Sequence, residues 1–364
     1  MEFRTASFLG FLPLPYIMKT SIILVAYNSA KDLEILLPSF KETETDQLWS
    51  DLIVIDNGSD NSLDIVKKYF PEALTEKSSG NIGYAAAANR GVALAFERGA
   101  EAVIIMNTDM KVLPNFFSNL VKILEDKTIG CAQSLLLRPN IPGSEDLAIN
   151  SAGNIIHPLG IGFCDLDGRP INEAPREITD INYPSGSSLA VTKEVWQTIG
   201  GLNEKLFLYH EDLEFGLASL FLGLRNVLAP SAKIIHYHKF RPLDGFRFFY
   251  MERNRYLVWL KAWRMPTIVL LTPFMLLAEI GLISFSLLRG QILERPKIWR
   301  GVVKAVPEIL KQRKSFARVV SDRSIMKQLK PIIRYQPTKN FITDKIFTPG
   351  FRLMKGIILL FLWW

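Results

Sequence analysis

Three apolar runs, each followed by a polar turn and a helical pattern, constrain the fold of this chain most strongly. The runs cover residues 20–26, 52–55 and 102–106 and are apolar throughout rather than alternating with polar residues. Strands of that kind are buried on both faces, and helical patterns over 30–42 and about 84–98 would supply the covering helices. The pattern predicts an α/β domain with a mostly parallel sheet flanked by helices.

Composition and charge indicate a folded domain followed by a basic region. The chain has 364 residues, of which 48% are hydrophobic and 22% charged, so disorder is not indicated. Its two cysteines, Cys131 and Cys164, exclude a disulfide framework and fit a reducing compartment. Residues 291–345 contain fourteen Lys or Arg and four Asp or Glu, a balance of +10 in a chain of net charge +7. This excess favours an anionic surface as neighbour, and no nucleic-acid-binding motif accompanies it.

The sequence divides into three predicted parts. Residues 1–17 are interpreted as an N-terminal extension, because Pro13 and Pro15 disfavour a signal-peptide helix. Residues 18–262 form the α/β domain, with further elements predicted at 185–200, 206–222 and 233–238. Residues 263–364 are apolar to 288 and then basic and amphipathic, which predicts a membrane-associated helical region.

Polar side chains follow the predicted strands at the points where they end. Asn28 follows the first strand, Asp56 the second, and Asn107-Thr-Asp109 the third. Because ligands bind beyond the carboxyl ends of parallel strands, we expect these residues to share one crevice. Asp56 could accept the imide N–H of a uracil or thymine ring, although a helix cap or an Asx-turn explains the same pattern. Asn107 and Asp109 could aim oxygen atoms at Mg²⁺ or Mn²⁺, although Asn-x-Asp is also ordinary turn sequence.

Glu211 and Asp212, predicted near the start of a helix, could supply a general base. Sugar transfer with inversion needs one base on the acceptor hydroxyl, whereas hydrolysis usually needs two carboxylates that flank the bond. Acidic residues also favour a helix N-terminus without any catalytic role. Of His236 and His238, at the end of the last predicted strand, we expect at most one to reach the crevice as a metal or diphosphate ligand.

Small residues dominate the segment 80–91, GNIGYAAAANRG, and other ligand-binding motifs are absent from the sequence. The small residues permit close approach of the backbone to a ligand, and equally a tight contact between a helix and the sheet. The sequence has no P-loop, no dinucleotide-binding glycine motif, no nucleophile elbow and no zinc-type Cys/His spacing. ATPase, dinucleotide-binding and Ser-nucleophile classes are therefore excluded.

Taken in order, these segments resemble glycosyltransferase family 2 with the GT-A fold. More narrowly, they are similar to rhamnosyltransferase-like bacterial members that build surface polysaccharides. The resemblance covers residues 18 to about 265 and is carried by these segments: SIILVAYN (21–28), VIDNGS (54–59), GNIG (80–83) with Asn89, MNTD (106–109), GGLN (200–203), YHED (209–212), His236 and Arg253-Asn254.

The resemblance implies inverting transfer of a sugar from a dTDP-, UDP- or GDP-linked donor to a hydroxyl of a lipid-linked or glycan acceptor. It implies a divalent cation, Mg²⁺ or Mn²⁺, on Asp109 with His236 or His238, and catalysis by Asp212 with Glu211. The donor is expected to contact ten residues near the strand ends: Ala26, Tyr27, Asn28, Asp56, Asn57, Asn81, Gly83, Asn89, Asn107 and Thr108.

This chain departs from the family pattern in two places. Of the family's two common forms at the metal position, Asp-x-Asp and Asn-x-Asp, this chain has the second, and Ala218 stands where an arginine often follows the Glu-Asp pair. The Gln-x-x-Arg-Trp run of processive members is also absent, which favours transfer of a single sugar.

Two alternatives remain open at this stage. A non-catalytic sugar-nucleotide-binding subunit of a membrane polysaccharide assembly complex would tolerate substitution of Asp109 or Asp212 without a change in the glycan. A nucleotidyltransferase should carry a Gly-rich loop and a basic residue where this chain has Tyr27-Asn-Ser-Ala30.

Residues 265–288 are apolar and long enough to cross a hydrocarbon core of ~30 Å. Pro266, Pro273 and Glu279 disfavour a simple span, and a buried core helix is the alternative interpretation. A single crossing would also export the basic region, against the positive-inside tendency. We therefore expect this segment to lie in the interface or re-enter on the cytoplasmic face of the inner membrane, with residues 356–364 dipping into the headgroup region.

Overall fold

The computed structural model describes residues 18–43, 49–140, 146–237, 244–333, 345 and 347–364. Its strands are β1 (Thr20–Ala26), β2 (Asp51–Asp56), β3 (Leu74–Lys77), β4 (Ala102–Met106), β5 (Met110–Val112), β6 (Ile129–Pro139), β7 (Leu147–Ser151), β8 (Asn154–Ile156), β9 (Gly162–Cys164), β10 (Thr179–Ile181), β11 (Ser188–Thr192) and β12 (Arg225–His236). Its α-helices are α1 (Ala30–Thr43), α2 (Ser62–Tyr69), α3 (Tyr84–Glu97), α4 (Phe116–Ile123), α5 (Lys193–Ile199), α6 (Glu211–Phe221), α7 (Gly245–Ala262), α8 (Met265–Leu288), α9 (Glu294–Ser315), α10 (Asp322–Gln328) and α11 (Thr348–Phe361). Short 3₁₀ helices cover Ile171–Glu173 and Glu204–Leu206.

One large mixed sheet organises the chain. Its strand order is β10-β12-β6-β11-β4-β1-β2-β3, with β5 added on β12 and β7 on β6, while β8 and β9 form a separate pair. Strands β4, β1, β2 and β3 run parallel, and β11 enters antiparallel between β4 and β6. The predicted α/β class is confirmed.

Burial on both faces explains why the central strands are continuously apolar. Ile22 and Leu24 of β1 pack in a cluster with α1 and α4, whereas Ile23 and Val25 pack in a second cluster with α3 and α5. Successive side chains of a strand point to opposite faces, so a strand covered on both sides needs apolar residues at every position. The alanines of α3 lie in the second cluster, where Ala88 is fully buried. Their small size thus accommodates a close contact between helix and sheet.

Two elements differ from their predicted bounds. The strand predicted at 233–238 is the end of the longer β12, which begins at Arg225 and absorbs Pro230 and Ser231 in a register shift between Ala229 and Lys233. The helix predicted at 206–222 begins only at Glu211, because residues 207, 209 and 210 have positive φ angles that end the preceding 3₁₀ turn. His238 lies outside the described residues.

The C-terminal helices share an apolar cluster with α6. Leu217 and Phe221 of α6 pack in one cluster with Leu257 of α7, Leu271 of α8 and Ile358 of α11. The predicted boundary at residue 262 coincides with the end of α7. The cluster nevertheless crosses that boundary, so α8 to α11 form a layer packed on the α/β domain.

Helix α8 carries its polar contacts on one side and exposes an apolar side. Glu279 accepts from Arg295 at 3.3 Å and lies 3.7 Å from Arg255, and both arginines are 1% exposed. The opposite side is open, with Leu276, Leu277 and Ile280 each at least 64% exposed. Within the described residues, α8 alone is long and apolar enough to cross a membrane.

Candidate active site

The carboxyl ends of β1, β2 and β4 form one edge of the sheet. In the parallel register Ala26 of β1 lies beside Asp56 of β2, and Leu24 lies beside Met106 of β4. Strand β11 is antiparallel and starts at this same edge, with Ser188 beside Met106. The loop 185–187 before β11 therefore lies next to the polar residues that follow β4.

The turn after β1 is interlocked with the turn after β2. Asn28 has a φ of 53° and its Oδ1 accepts a hydrogen bond from the Ser59 amide at 2.9 Å. A Cβ on Gly58 would lie 2.3 Å from the Asn28 nitrogen, so only glycine fits between the two turns. The Tyr27 side chain is 57% exposed beside this contact. The predicted donor residues 26–28 and 56–57 are thus brought together.

Asp56 is fully buried, and both of its carboxylate oxygens are engaged. Oδ1 accepts from the Gly58 amide at 2.8 Å, and Oδ2 lies 2.6 Å from the Lys77 Nζ atom. Lys77 is brought there because β3 pairs with β2 in a register that places Lys77 beside Asp56. The sequence interpretation missed Lys77, since nothing in its local pattern identifies this pairing.

The small-residue segment before α3 is anchored on Asn57. The Asn57 side-chain nitrogen donates to the Gly83 carbonyl at 3.1 Å, and the Gly83 amide donates to Asn81 Oδ1 at 3.0 Å. Gly83 has a φ of 89° and a Cβ there would meet Phe207 at 2.6 Å, so glycine is required for two independent reasons. Asn57, Asn81 and Gly83 therefore form one structural unit beside Asp56.

Asn89, one further predicted donor residue, makes a different set of contacts. Its side-chain nitrogen donates to the Leu202 carbonyl and to Glu204, and its Oδ1 accepts from the Leu202 amide, all at 2.9 Å. These bonds hold the loop that carries residues 202–204 against α3.

The turn after β4 is fixed to neighbours on both sides. The Asn107 amide donates to the Ser187 carbonyl at 3.2 Å, and Thr108 Oγ1 donates to Ser29 Oγ at 2.8 Å. The two bonds hold residues 107 and 108 between the turn after β1 and the loop before β11.

Asp109 and His236 meet through the pairing of β5 with β12. His236 lies opposite Met110 in that antiparallel ladder, and the Tyr237 amide donates to the Asp109 carbonyl at 2.8 Å. This register brings His236 Nε2 to 3.3 Å from Asp109 Oδ1. The pair offers one oxygen and one nitrogen ligand at one point of the edge.

A divalent cation would need further ligands beside this pair. Across the residues that the structure describes, no group of three His, Cys, Asp or Glu side chains could hold a metal without help. Mg²⁺ and Mn²⁺ commonly keep waters and substrate phosphates as ligands, so Asp109 and His236 with a diphosphate fit such an ion.

Asp212 reaches the same loop from the first turn of α6. Its Oδ2 accepts from the Gly186 amide at 2.9 Å, and its Oδ1 accepts from its neighbour's amide, that of Leu213, at 2.7 Å. The Gly186 carbonyl accepts in turn from the Tyr84 hydroxyl at 2.5 Å. A single peptide segment, 185–187, therefore contacts Asn107, Tyr84 and Asp212.

Glu211 and Asp212 differ in how they are solvated. Glu211 is 5% exposed, and burial together with the adjacent Asp212 charge raises its pKa to about 8. Burial also raises the pKa of Asp212, but the hydrogen bonds from the Gly186 and Leu213 amides oppose that rise. Burial thus raises the pKa of both carboxyl groups, and Asp212 is the one whose charged form accepts hydrogen bonds from the amides of two other residues.

The loop before α6 is held in an uncommon conformation by Asn254. Phe207, Tyr209 and His210 have φ angles of 66°, 66° and 69°, which cost of order 1–3 kcal/mol each unless their surroundings fix them. The Asn254 side-chain nitrogen lies 2.9 Å from the Leu206 carbonyl and 2.7 Å from the Tyr209 carbonyl. Asn254 is fully buried and thereby positions the Glu211–Asp212 pair from α7.

Residue 218, where this chain departs from the family pattern, lies inside a helix. Ala218 is buried in α6, so an alkyl side chain fills the place where the family often has an arginine.

Comparison with known proteins places this geometry in one family. The sequence model of Glycosyl transferase family 2 matches residues 21–150. The low-salt glycan biosynthesis hexosyltransferase Agl10 of Haloferax volcanii is 24% identical over 262 residues, which is 67% of this chain and 80% of that protein. The N-acetylglucosaminyl-diphospho-decaprenol L-rhamnosyltransferase of Mycobacterium tuberculosis is 25% identical over 236 residues, which is 59% of this chain and 75% of that protein.

A solved structure shares the fold. GalNAc-T7, crystallised with UDP, GalNAc and Mn²⁺, matches with a TM-score of 0.58 at 16% identity, over 69% of this chain and 49% of that one. This chain thus spans about half the length of that structure. The match of residues 21–150 to the family model and the two relatives together support a glycosyltransferase of glycosyl transferase family 2, and the solved structure shows that the GT-A fold is shared.

Proposed function

We propose that this chain transfers a single sugar, with inversion and with a divalent cation, from a nucleotide-diphosphate donor to a hydroxyl of a lipid-linked saccharide. The observation that carries the proposal is the loop 185–187, which bonds to Asn107 beside the proposed metal site and to the carboxylate of Asp212. A donor diphosphate at the proposed metal site and an acceptor hydroxyl at Asp212 would therefore be neighbours. Single displacement requires that neighbourhood, because the acceptor must attack the carbon from which the diphosphate leaves.

The donor base would lie against the two interlocked turns. Asp56 would accept its imide N–H, and Lys77, 2.6 Å from this buried carboxylate, would hold it in place. The exposed ring of Tyr27 offers a face on which a base could stack. Asn57, Asn81 and Gly83 would shape the wall beside the ribose.

Asp109 and His236 would hold Mg²⁺ or Mn²⁺ on the diphosphate. When bound, the ion neutralises negative charge on the departing nucleotide diphosphate. The chain contributes a carboxylate and an imidazole fixed by the β5–β12 register, so the ligands need no rearrangement to meet. The solved relative GalNAc-T7 was crystallised with Mn²⁺, which supports a divalent ion at this kind of site.

Asp212 would act as the general base, with Glu211 in a supporting role. A base must be ionised at the working pH, and the raised pKa of about 8 keeps Glu211 protonated at neutral pH. Asp212 is held by two backbone amides and is aimed toward the loop 185–187. Its Oδ1 and Oδ2 oxygens keep further lone pairs that could accept the acceptor proton.

The relatives support a particular sugar and acceptor. The Mycobacterium tuberculosis relative is named for L-rhamnose transfer to a decaprenol-linked N-acetylglucosaminyl diphosphate, and the Haloferax volcanii relative for hexose transfer in glycan biosynthesis. We therefore propose L-rhamnose as the transferred sugar and a polyprenyl-diphosphate-linked saccharide as the acceptor.

A panel of nucleotide sugars tests the enzymatic proposal. Purified full-length protein would be incubated with dTDP-rhamnose, UDP-GlcNAc and GDP-mannose, with and without Mn²⁺, and a polyprenyl-diphosphate-linked N-acetylglucosamine. We expect Mn²⁺-dependent transfer of rhamnose with inverted anomeric configuration, measured by NMR of the product. Asp109→Ala should abolish it, while Asp126→Ala, at an exposed carboxylate in the turn after α4, should not. Transfer that persists in Asp109→Ala would refute the assigned metal site, and retention of configuration would refute single displacement.

We further propose that the protein docks on the cytoplasmic face of the inner membrane through its C-terminal helices. The apolar outer side of α8 is joined by an exposed stripe on α11 formed by Leu353, Ile357, Leu360 and Phe361. The two helices are in contact, since the C-terminal Trp364 Nε1 donates to Thr267 of α8 at 2.8 Å. Together they present an apolar surface of the kind that inserts to headgroup depth.

The basic region contributes in two different ways. Arg318 donates to the Lys261 and Ala262 carbonyls at the end of α7, which is a structural contact rather than a surface charge. An exposed stripe on α9 remains available for anionic lipid headgroups and consists of Lys297, Arg300, Lys304 and Lys311. Some basic residues of the region 291–345 therefore bind backbone carbonyls at a helix end, and others lie on the surface.

A further inference from the structure

His236 makes two ring contacts, and only one of them is to the proposed metal site. Its Nε2 lies 3.3 Å from Asp109 Oδ1, and its Nδ1 lies 2.8 Å from the side-chain oxygen of Asn150. Asn150 belongs to β7 and His236 to β12, the two strands that flank β6. The sheet topology thus brings an amide to the side of the imidazole that faces away from Asp109.

A buried carboxylate fixes which end of the Asn150 amide faces the histidine. The Asn150 nitrogen lies 3.5 Å from Asp167 Oδ1, which also accepts from Arg138 Nε at 3.1 Å. The Asp167 side chain is 2% exposed, so its charge is poorly screened by solvent. If the amide were reversed, its oxygen would face the Asp167 carboxylate and its N–H₂ group would face the ring. The observed orientation avoids that repulsion between two acceptors.

The amide orientation determines the tautomer of His236. An amide oxygen only accepts hydrogen bonds, so the Nδ1 atom that contacts it must carry the hydrogen. With the hydrogen on Nδ1, a neutral ring keeps Nε2 as an acceptor on the Asp109 side, and these two acceptors would repel each other unless a cation lies between them. A lone pair and a carboxylate oxygen that face each other provide two of the ligands of a divalent cation.

We propose that Asn150 is a positioning residue that holds His236 in the Nδ1-protonated form, so that Nε2 and Asp109 can bind one divalent cation. The inference rests on the metal site of the proposed function and adds the residue that orients it. Partners that bond to the far nitrogen of a metal-binding histidine fix its ring and its tautomer. Arg138 and Asp167 complete the chain of contacts behind Asn150.

Binding of Mn²⁺ alone, measured by electron paramagnetic resonance of the free ion, tests this role on the full-length protein. Asn150→Leu has nearly the same size and lacks the acceptor, and we expect its Kd for Mn²⁺ to rise about 10–100-fold. Asn119→Leu removes an exposed amide from α4 and serves as the matched control. A folded Asn150→Leu protein with wild-type Mn²⁺ affinity would overturn the proposal.

The tautomer itself can be measured on the wild-type protein. The chain has four histidines, so ¹⁵N-histidine labelling with His236→Gln as the assignment control isolates the signal of this ring. With saturating Mg²⁺, which is diamagnetic, we expect hydrogen on Nδ1 and none on Nε2 at pH 8; hydrogen on Nε2 in the Mg²⁺-bound protein would refute the inference. If Asp109→Ala bound Mn²⁺ as tightly as the wild type, the metal site itself would be refuted. Failure of the metal site is thus distinguishable from failure of the role proposed for Asn150.

Discussion

Two glutamates, one buried at the sheet edge and one partly buried in the C-terminal helices, are accommodated in opposite ways. Glu279 of α8 contacts Arg255, Arg295 and Trp299 Nε1, so its charge is compensated by two arginines. Glu211 at the start of α6 has a side-chain oxygen with no hydrogen-bond partner among the described residues, and burial raises its pKa to about 8. Glu279, which joins helices, is paired with arginines, whereas Glu211 beside the candidate site lacks a cationic partner and has a raised pKa.

The contrast between Glu211 and Glu279 fits different roles for the sheet edge and the C-terminal helices. An uncompensated buried carboxyl lowers stability and is retained where chemistry uses it. A buried network of two arginines and two glutamates contributes little net stability over apolar packing, but it fixes which side of α8 faces the protein. The apolar outer side of α8 then faces away from the protein, and it is the side that the proposed membrane docking would use. The following changes separate these two roles.

Asp212→Asn should have the largest effect on activity and almost none on folding. Loss of the general base is expected to slow sugar transfer by about 10²–10⁴-fold, because the acceptor hydroxyl keeps its proton. The asparagine oxygen can still accept from the Gly186 amide, so the loop 185–187 should stay in place. Single-turnover rates alongside Mn²⁺ affinity check this expectation. A variant that transfers sugar at the wild-type rate would mean that the base lies elsewhere.

Arg295→Met should have the largest effect on stability. It leaves Glu252 and Glu279 buried with a single arginine, and we expect the free energy of unfolding to fall by about 3–5 kcal/mol. Lys297→Met is the control, since its pair with Glu294 is exposed and contributes at most about 0.5 kcal/mol. Denaturant unfolding of both variants in the same detergent measures the difference. If Arg295→Met and Lys297→Met were equally stable, the ion pairs of Arg295 would contribute no more to folding than an exposed pair.

Local patterns predicted the sheet edge because burial on both faces leaves a continuous apolar run. The predicted bounds of β1 and β4 agree with the structure at every residue, and the polar residues that follow them lie at one edge. The partner of Asp56 could not be predicted in the same way. Lys77 reaches Asp56 only through the β2–β3 register, which depends on how two distant segments align.

Glu279 shows the same limit in the helical region. In the sequence, Glu279 is a charged residue that disfavours a simple membrane span over 265–288. Its partners lie on two other helices, α7 and α9. The distances from Asn150 to His236 and from Gly186 to Asp212 depend likewise on strand order and on loop packing. Side-chain types at strand ends can be assigned from sequence, but the residues that orient them come from elsewhere in the chain.

Glu211→Gln should change the pH dependence of stability. The folded protein holds the Glu211 proton up to about pH 8, whereas the unfolded chain releases it near 4.5, so the folded state binds more protons in that window. Stability is therefore fully present below about pH 4.5 and falls as pH rises toward 8, by on the order of 5 kcal/mol. Glu211→Gln should flatten this fall, leaving the part due to Asp212. Unfolding at pH 5 and pH 8 measures it, with the exposed Glu72→Gln as control; an unchanged slope would contradict the raised pKa.

Charged substitutions on the outer side of α8 should have the smallest effect and should leave catalysis intact. Removal of residues after 262 would strip α6 of its cluster partners Leu271 and Ile358, so truncation confounds folding with membrane binding. Leu276→Glu and Ile280→Glu instead change side chains that are 64% exposed. Each should weaken flotation with phosphatidylglycerol vesicles about tenfold, because a buried leucine or isoleucine contributes roughly 1.5–3 kcal/mol. Ile178→Glu, at an exposed position of the α/β domain, should not, and unchanged flotation of the α8 variants would place the membrane contact elsewhere.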